Sequence, residues 1–338
     1  MKNKAALAKE MDRMLEEGIS NTFSTEYYQR FLSFVARNPN YSYRNVIFIL
    51  QQCPKATQTK GMCTWNKEGR MIKPGETGLR INACFDRDED KEEPPGPPSK
   101  KKRGHKGGST FRRVSVFDIS QTKPKDGEDN QQPQREAPAG NVLEIAPPQG
   151  AAAGVDELLR DLRELSPPSI NFGFDKGNPY AAQTIIAQIS LVWLGTRCPG
   201  REQLKMAARS VTYIVCRHLG LDTSALGFGK ISEYSQNQEQ SALEKLLDTV
   251  QKTALYFIDS IDGIREARKT GYPTDEFFLF TNKKTALRMF RQGYYIYLVY
   301  PGQGELLAMN KDALMEYDGP FAVHREDWVG VRDGSLAA

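Results

Sequence analysis

The sequence predicts a multi-domain α+β fold, and three observations lead to this prediction. Segments with apolar residues at helical spacing alternate with short strand-like runs along the 338 residues. Two segments rich in charge, proline, glycine or glutamine, residues 86–110 and 123–153, interrupt this order. A chain of this length also has room for two or three separate cores. We therefore expect a small α+β domain over residues 1–122, a mainly helical domain over 154–268 and a small α+β domain over 270–338.

Composition and cysteine spacing indicate a soluble protein of a reducing compartment. Hydrophobic residues make up 39% and charged residues 26% of the chain, and no apolar run approaches the roughly 18 residues that span a bilayer. The N-terminal residues interleave charges with apolar positions, which indicates an amphipathic helix and not a signal peptide. The five cysteines are scattered without CxxC pairing. We therefore expect free thiols, a cytoplasmic location and no membrane partner.

The first domain begins with three predicted helices. The N-terminal amphipathic helix is expected to end at Gly18. A second helix covers residues 24–38, with Ser24 as its N-cap. A third helix covers residues 42–53, with Ser42 as its cap.

Strands complete the first domain. Turn residues separate short strand-like pieces around the segments MCTW, NKEGR and GETGLRINACF. Residues 86–110 then show an acidic, a proline and a basic block without apolar anchors, so we expect a disordered insertion. The segment FRRVSVFDISQT, residues 111–122, returns as a strand with Val114, Val116 and Phe117 as candidates for burial.

The apolar pattern of the rest of the chain predicts several helices followed by a domain of mixed helices and strands. A helix is expected over residues 155–165, with leucines at helical spacing. Two apolar helices follow near 180–194 and 202–219, and a long amphipathic helix near 240–268. Residues 270–338 then alternate strand-like segments with two short helices, which is why we separate them as a third domain.

Positive charge is concentrated in the first domain. Residues 1–122 hold 22 Lys/Arg against 14 Asp/Glu, a net charge of +8, so the remaining residues carry −4 of the total +4. Within residues 19–85 there are nine Lys/Arg, three Asp/Glu and ten aromatic residues. Cations that follow a phosphate path, with rings on which exposed bases stack, are what single-stranded nucleic acid binding requires. The alternative is a solvated basic surface.

Trp65 is the aromatic residue whose role the sequence leaves open. Helical spacing places Phe31, Phe34 and Phe48 in the core. Trp65 instead lies in a turn-rich segment among basic residues, so it is a candidate for stacking on a base. The alternative is a core tryptophan.

The order of residues in this region resembles the N-terminal domain of the ArdC antirestriction family. The matching residues are Tyr41, Ser42, Asn45, Gln52, Pro54, Ala56, Thr57, Trp65, Gly69, Arg70, Lys73, Gly75, Glu76 and Ile81. The segment VFDISQT, residues 116–122, resembles the closing strand of that domain. The resemblance covers about a third of the chain and implies single-stranded DNA binding by a protein of a conjugative or other mobile genetic element. The candidate DNA-binding residues are Tyr41, Arg44, Asn45, Lys60, Trp65, Lys67, Arg70 and Lys73.

In the same family a metallopeptidase-like domain follows, with an HExxH zinc motif on one helix. Two His at i and i+4 and a third donor would hold zinc, and a Glu would activate the bound water. In the segment TIIAQISL, however, Ala187, Gln188 and Leu191 occupy the positions of His, Glu and His. On the next helix, the acidic positions of the family are occupied by Lys205 and by two further residues without a carboxylate, Ala207 and Arg209.

These replacements predict a pseudoenzyme without metal or other cofactor. The three histidines of the chain, His105, His218 and His324, include no pair with ligand spacing. The emptied helix is expected to serve as a core helix, held by apolar residues. Those residues are Ile185, Ile186, Ile189 and Val192.

The leading hypothesis is a single-stranded DNA-binding protein of a mobile element, and the resemblance implies a role in antirestriction or protection of transferred DNA. Conjugation proteins and host restriction proteins are the candidate protein partners. Two alternatives stay open. The first is a protein-interaction scaffold whose basic face contacts an acidic partner. The second is an enzyme with a relocated site, for example one where Cys198, Cys216 and His218 meet in space.

Overall fold

The computed structural model describes residues 2–85, 110–125, 151–166, 170, 180–198, 200–271, 276–300 and 303–324. Within these residues the α+β class is confirmed, with helices and antiparallel sheets in the same chain. Residues 86–109 and 126–150, which hold the predicted insertion and most of the predicted linker, lie outside the described residues.

The helices and strands have the following bounds. The helices are α1 (Lys2–Thr22), α2 (Thr25–Arg37), α3 (Tyr43–Gln52), α4 (Met62–Lys67), α5 (Ala151–Leu165), α6 (Ala181–Leu194), α7 (Arg201–His218), α8 (Ile231–Gln236), α9 (Gln240–Thr270), α10 (Lys283–Arg291) and α11 (Lys311–Glu316). The strands are β1 (Thr59–Lys60), β2 (Arg70–Ile72), β3 (Leu79–Phe85), β4 (Thr110–Asp118), β5 (Thr122–Pro124), β6 (Phe277–Phe280), β7 (Tyr297–Tyr300), β8 (Gly304–Leu307) and β9 (Phe321–His324).

The chain divides into two structural units. Unit 1 contains Met1–Gly18 and Arg44–Glu136, and unit 2 contains Ile19–Tyr43 and Ala137–Ala338. The predicted first domain therefore contributes residues 19–43 to the packing of unit 2. The domain boundaries drawn from the sequence stay a prediction.

Two small antiparallel sheets form the centre of unit 1. One has the strand order β1-β4-β3, and the other pairs β2 with β5. In the first sheet Leu79 lies opposite Val116, and Ile81 lies opposite Val114. Because opposed residues share a face, these four side chains point to the same side. Leu79, Ile81 and Val116 are buried, so this side of the sheet belongs to the core.

The N-terminal helix does not end at Gly18, as the sequence predicted, but continues to Thr22. A Cβ added at Gly18 would lie 2.3 Å from Cγ2 of Ile47 and 3.3 Å from Cγ of Gln51 on α3. The missing side chain therefore lets α1 approach α3 closely. Glycine at this position reflects close packing between helices and not the end of a helix.

Two further predictions in unit 1 need correction. The segment MCTW, expected as a strand, forms the short helix α4. Its turn closes with a hydrogen bond from the Trp65 amide to the Gly61 carbonyl at 3.0 Å, and burial of Trp65 anchors it. The predicted linker was expected to begin at residue 123, yet Lys123 and Pro124 extend the ordered chain as part of β5, which pairs with β2.

Unit 2 contains a helical layer built as predicted. α7 packs against α2, α6 and α9, and the apolar segments that the sequence assigned to helices 180–194, 202–219 and 240–268 form α6, α7 and α9. Of the α6 residues predicted to be buried, the three isoleucines are buried, but Val192 is 47% exposed. Among the helices that the structure describes, none is long and apolar enough to cross a membrane.

The second part of unit 2 is a four-stranded antiparallel sheet with the order β6-β9-β7-β8. α9 packs against the edge strand β6. At the closest point, a Cβ added to Gly263 would lie only 1.6 Å from the Leu279 carbonyl oxygen. The helix backbone can cover this edge only because Gly263 has no side chain.

A buried carboxylate, Asp259, joins α9 to the first turn of α10. Its oxygens accept hydrogen bonds from Thr285 Oγ1 at 2.5 Å and from Asn282 Nδ2 at 3.0 Å. Asn282 in turn caps α10 by accepting from the amides of Lys284 and Thr285. Burial raises the pKa of Asp259 to about 6, although the hydrogen bonds from Thr285 and Asn282 and the charge of Arg288 act in the opposite direction.

Asp259 should therefore make folding pH-dependent. A carboxyl whose pKa is higher in the folded state than its ordinary 3.8 binds a proton on folding between about pH 4 and 6. Its contribution to stability thus falls as the pH rises through this window. We expect Asp259→Asn to remove about 2 kcal/mol of this decline between pH 4.5 and 7, measured by denaturant unfolding at both pH values. Exposed Asp312→Asn is the control, and equal profiles for the two variants would contradict the prediction.

Candidate nucleic-acid interface

The outer face of the three-stranded sheet in unit 1 carries basic, polar and aromatic side chains. Register places Lys60 opposite Phe117, Ser115 opposite Arg80, and Arg113 opposite Asn82. Alternation along each strand places all of them on the side opposite the buried Leu79, Ile81 and Val116. We call this set the basic sheet face, and its members are Lys60, Arg80, Asn82, Arg113, Ser115 and Phe117.

The basic sheet face is accessible and positively charged. Arg80 and Ser115 are exposed, and the other four members are partly exposed. β1, β3 and β4, all of which the structure describes, place no acidic residue on this side. The acidic residue of β4, Asp118, lies opposite Thr59 and therefore points the other way. Three cations project from this face and produce a local positive potential, although Glu68, which lies outside these strands, pairs with Lys60.

Asp118 organises the loops at the end of this sheet. Its Oδ2 accepts from the amides of Thr57 at 2.7 Å and Gln58 at 3.0 Å, while Oδ1 accepts from the Ser120 amide at 3.1 Å and hydroxyl at 2.8 Å. The Asp118 amide donates to Gln121 Oε1 at 3.0 Å. A buried carboxylate with this many donors is structural, and it fixes the position of β1 beside β4.

Trp65 is a core residue. It is 1% exposed, and its indole Nε1 donates to the Phe117 carbonyl at 2.9 Å. A base cannot stack on a ring without an accessible face, so the stacking role considered for Trp65 does not fit its position. The alternative left open by the sequence, a core tryptophan, describes its environment.

Lys60 is held at the edge of the basic sheet face. Its Nζ donates to both carboxylate oxygens of Glu68, at 2.6 and 2.7 Å, and lies 5.1 Å from the centre of the Trp65 ring. The ion pair is partly exposed. Such pairs contribute little to stability in water, so a phosphate can compete with Glu68 for this cation.

The other predicted cations of unit 1 are not on the strands that form this face. Arg70 on β2 donates through Nε to Thr122 Oγ1 at 2.7 Å, and Lys73 donates to the Ser120 carbonyl at 2.8 Å. Lys67, at the end of α4, and Arg44, in the first turn of α3, are exposed. Of the predicted cations, Lys60 is therefore the one that belongs to the basic sheet face. That these residues contact DNA stays a prediction.

Asn45 and Gln52 have a structural role. The Asn45 side chain donates to the Asn82 carbonyl at 2.8 Å and accepts from the Asn82 amide at 3.0 Å. Gln52 does the same at Arg80, with distances of 2.9 and 2.8 Å. Two amide side chains of α3 thus form hydrogen bonds to backbone groups on the outer edge of β3, as a neighbouring strand would. We call this arrangement the amide clamp.

Tyr41 belongs to unit 2. It is partly buried, its amide donates to the Asn38 carbonyl at 3.2 Å, and its ring centre lies 6.5 Å from that of Phe34. These contacts give Tyr41 a packing role within that unit.

Sequence reasoning missed Arg80, Arg113 and Phe117 as candidate binding residues. The sequence contained a signal for two of them. Arg113, Ser115 and Phe117 occupy alternate positions of one predicted strand, so their side chains share a face. Phe117 had instead been considered for burial, although it alternates with Val116.

In unit 2, the helix that aligns with the zinc motif carries no metal-binding side chain at the motif positions. Ala187 and Gln188 are partly buried and Leu191 is 41% exposed on α6, while Ala207 is fully buried on α7. Within the described part of the chain, no group of three or more His, Cys, Asp or Glu is placed to hold a metal ion.

The surroundings of Cys198 and Cys216 do not favour the alternative site that would include these cysteines. Burial raises the pKa of the Cys216 thiol to about 12 and also raises the pKa of the Cys198 thiol. A thiolate, which metal binding and nucleophilic attack both require, is therefore disfavoured at these positions. His218 Nδ1 lies 2.8 Å from the Ala36 carbonyl oxygen, a contact that fixes the end of α7 beside α2.

Comparison with known proteins gives one distant structural likeness. No protein-family model matches this chain. No curated protein matches it either. The metal-free crystal structure of the antirestriction protein ArdC from plasmid R388 matches 68% of this chain and 85% of its own, with 13% sequence identity and a TM-score of 0.35. A likeness at this TM-score does not establish a shared fold or function.

Proposed function

We propose that this protein binds single-stranded DNA through the basic sheet face of unit 1. The observation that carries the proposal is the convergence of Lys60, Arg80 and Arg113 with Phe117 on one accessible side of an antiparallel sheet. Open sheets with cations and aromatic rings suit single strands, because the phosphates follow the charges while unpaired bases reach the rings. On the basis of the sequence resemblance to the ArdC family, we further propose that the protein shields the DNA of a mobile element. We place this role in the cytoplasm.

The proposal assigns no catalysis to unit 2. Its support is the set of side chains at the zinc-motif positions, Ala187, Gln188 and Leu191, none of which replaces an imidazole ligand. We propose that α6 and α7 are retained as packing elements of a pseudoenzyme.

Binding of labelled oligonucleotides to the full chain tests the proposal. We expect fluorescence anisotropy to show tighter binding to a single strand than to its duplex, without strong sequence preference. The affinity should fall with salt, with a slope of about −0.7 in log–log form for each phosphate contact. The protein should first be treated with nuclease and washed at high salt, because bound nucleic acid would hide the site.

If the folded protein binds neither oligonucleotide at low salt, the DNA proposal is wrong. The protein-interaction scaffold then becomes the leading hypothesis.

A further inference from the structure

The aromatic residues of unit 1 differ in whether their rings are exposed enough for a base to stack on them. Three of them have described side chains: Phe48, Trp65 and Phe117. Phe48 and Trp65 are 3% and 1% exposed, so neither ring has an accessible face. Phe117 is partly exposed and stands on the basic sheet face. Among these three rings, only that of Phe117 is available for a ligand.

The neighbours of Phe117 include a cation and a glycine. Lys60 lies across from it on β1. On its other side, just before β3, lies Gly78, where an added Cβ would approach Phe117 Cζ to 3.0 Å and Ser115 Cβ to 2.6 Å. Any other residue at position 78 would therefore crowd the ring. Glycine keeps this part of the face flat.

Cations stand on both sides of the ring. Lys60 is its directly opposite cross-strand neighbour, and Arg80 occupies the diagonal position on β3, since Arg80 pairs with Ser115. Cross-strand positions of these two kinds are about 5 Å and 7–8 Å away, within reach of long side chains. A nucleoside within a strand has this pattern, because its flat base is attached to a sugar that lies between two phosphates.

We infer that Phe117 is the residue on which an unpaired base stacks, with Lys60 and Arg80 holding the phosphates beside it. The inference rests on the proposed function and adds a reason for a preference for single strands. In a duplex the faces of the bases are covered by their neighbours, so the ring gains a partner only from an unstacked strand.

Two substitutions of Phe117 in the full chain test this inference. Phe117→Leu keeps an apolar side chain but removes the π face, whereas Phe117→Trp keeps it. We expect Phe117→Leu to weaken binding to a labelled oligothymidine about 10-fold, within the range for one stacked base, and to leave the salt slope unchanged. Phe117→Trp should bind at least as tightly as the native chain, and oligothymidine should quench its fluorescence more than that of the native chain.

The outcomes separate the inference from the proposed function. If the native chain binds the oligonucleotide and Phe117→Leu binds it equally well, stacking on Phe117 is wrong while DNA binding stands. A flatter salt slope in Phe117→Leu would also overturn the inference, because the ring would then act by positioning a cation. A native chain that binds no DNA would refute the proposed function itself. The melting temperature of each variant must match the native value. If Phe117→Leu unfolds, Phe117→Tyr is tested as a variant that keeps the π face, so binding weaker than native would count against stacking. Absence of extra quenching in Phe117→Trp would also count against it.

Discussion

Replacing Lys60, Arg80 and Arg113 together by Gln should weaken the binding of single-stranded DNA about 100-fold at 0.1 M salt. Each cation that contacts a phosphate releases a counterion on binding and contributes about 0.7 to the log–log salt slope. Loss of all three should therefore flatten the slope by about 2. Anisotropy titrations of the full chain at four or five salt concentrations measure both quantities.

A second triple variant controls for net charge. Arg201, Lys230 and Lys245 are exposed cations of unit 2. Replacing these three by Gln removes the same charge from the molecule but leaves the basic sheet face intact. We expect its affinity and salt slope to stay close to native values. Equal losses in the two triple variants would show that overall charge, and not the sheet face, governs binding.

Gly263→Ala should lower the free energy of unfolding by about 3 kcal/mol. Alanine in the middle of a helix normally gains about 1 kcal/mol over glycine. Here the new Cβ would lie 1.6 Å from the Leu279 carbonyl oxygen, less than half of an ordinary contact distance. Because that oxygen belongs to the backbone of β6, relief requires α9 and the strand to separate. Overpacking of this kind outweighs the gain in helix propensity.

Chemical denaturation of Gly263→Ala and of the control variant Gly227→Ala measures this change in the free energy of unfolding. A Cβ at Gly227 would meet nothing within 4 Å, so this variant should unfold at nearly the native denaturant concentration. If Gly263→Ala is as stable as Gly227→Ala, the close approach of α9 to β6 is not a feature of the folded protein in solution.

The helices of unit 2 could be predicted from the sequence because their apolar residues repeat at helical spacing over several turns. α6, α7 and α9 each bury such a stripe. Gly18 and the segment that forms α4 could not be predicted in this way. The role of Gly18 depends on Ile47, which is distant in sequence, and α4 is a single short helix anchored by one buried indole.

The candidate site was predictable only in part. Local composition singled out residues 1–122 as basic, but seven of the ten aromatic residues within 19–85 belong to unit 2. Composition also does not say which cations share a face. That depends on the register between β3 and β4, which residues 86–109 separate in sequence. Lys60 could be anticipated from its basic neighbourhood, whereas Arg80 joins it only through that pairing.

If the protein binds a long DNA strand as proposed, the amide clamp limits how neighbouring copies could join each other. Asn45 and Gln52 already occupy the backbone groups of β3 to which another polypeptide would bind, so adjoining molecules cannot merge their sheets along this edge. If the protein covers transferred DNA as proposed, neighbouring copies would not be joined through this edge of β3. A continuous β-sheet that grows from copy to copy along this edge is therefore not expected.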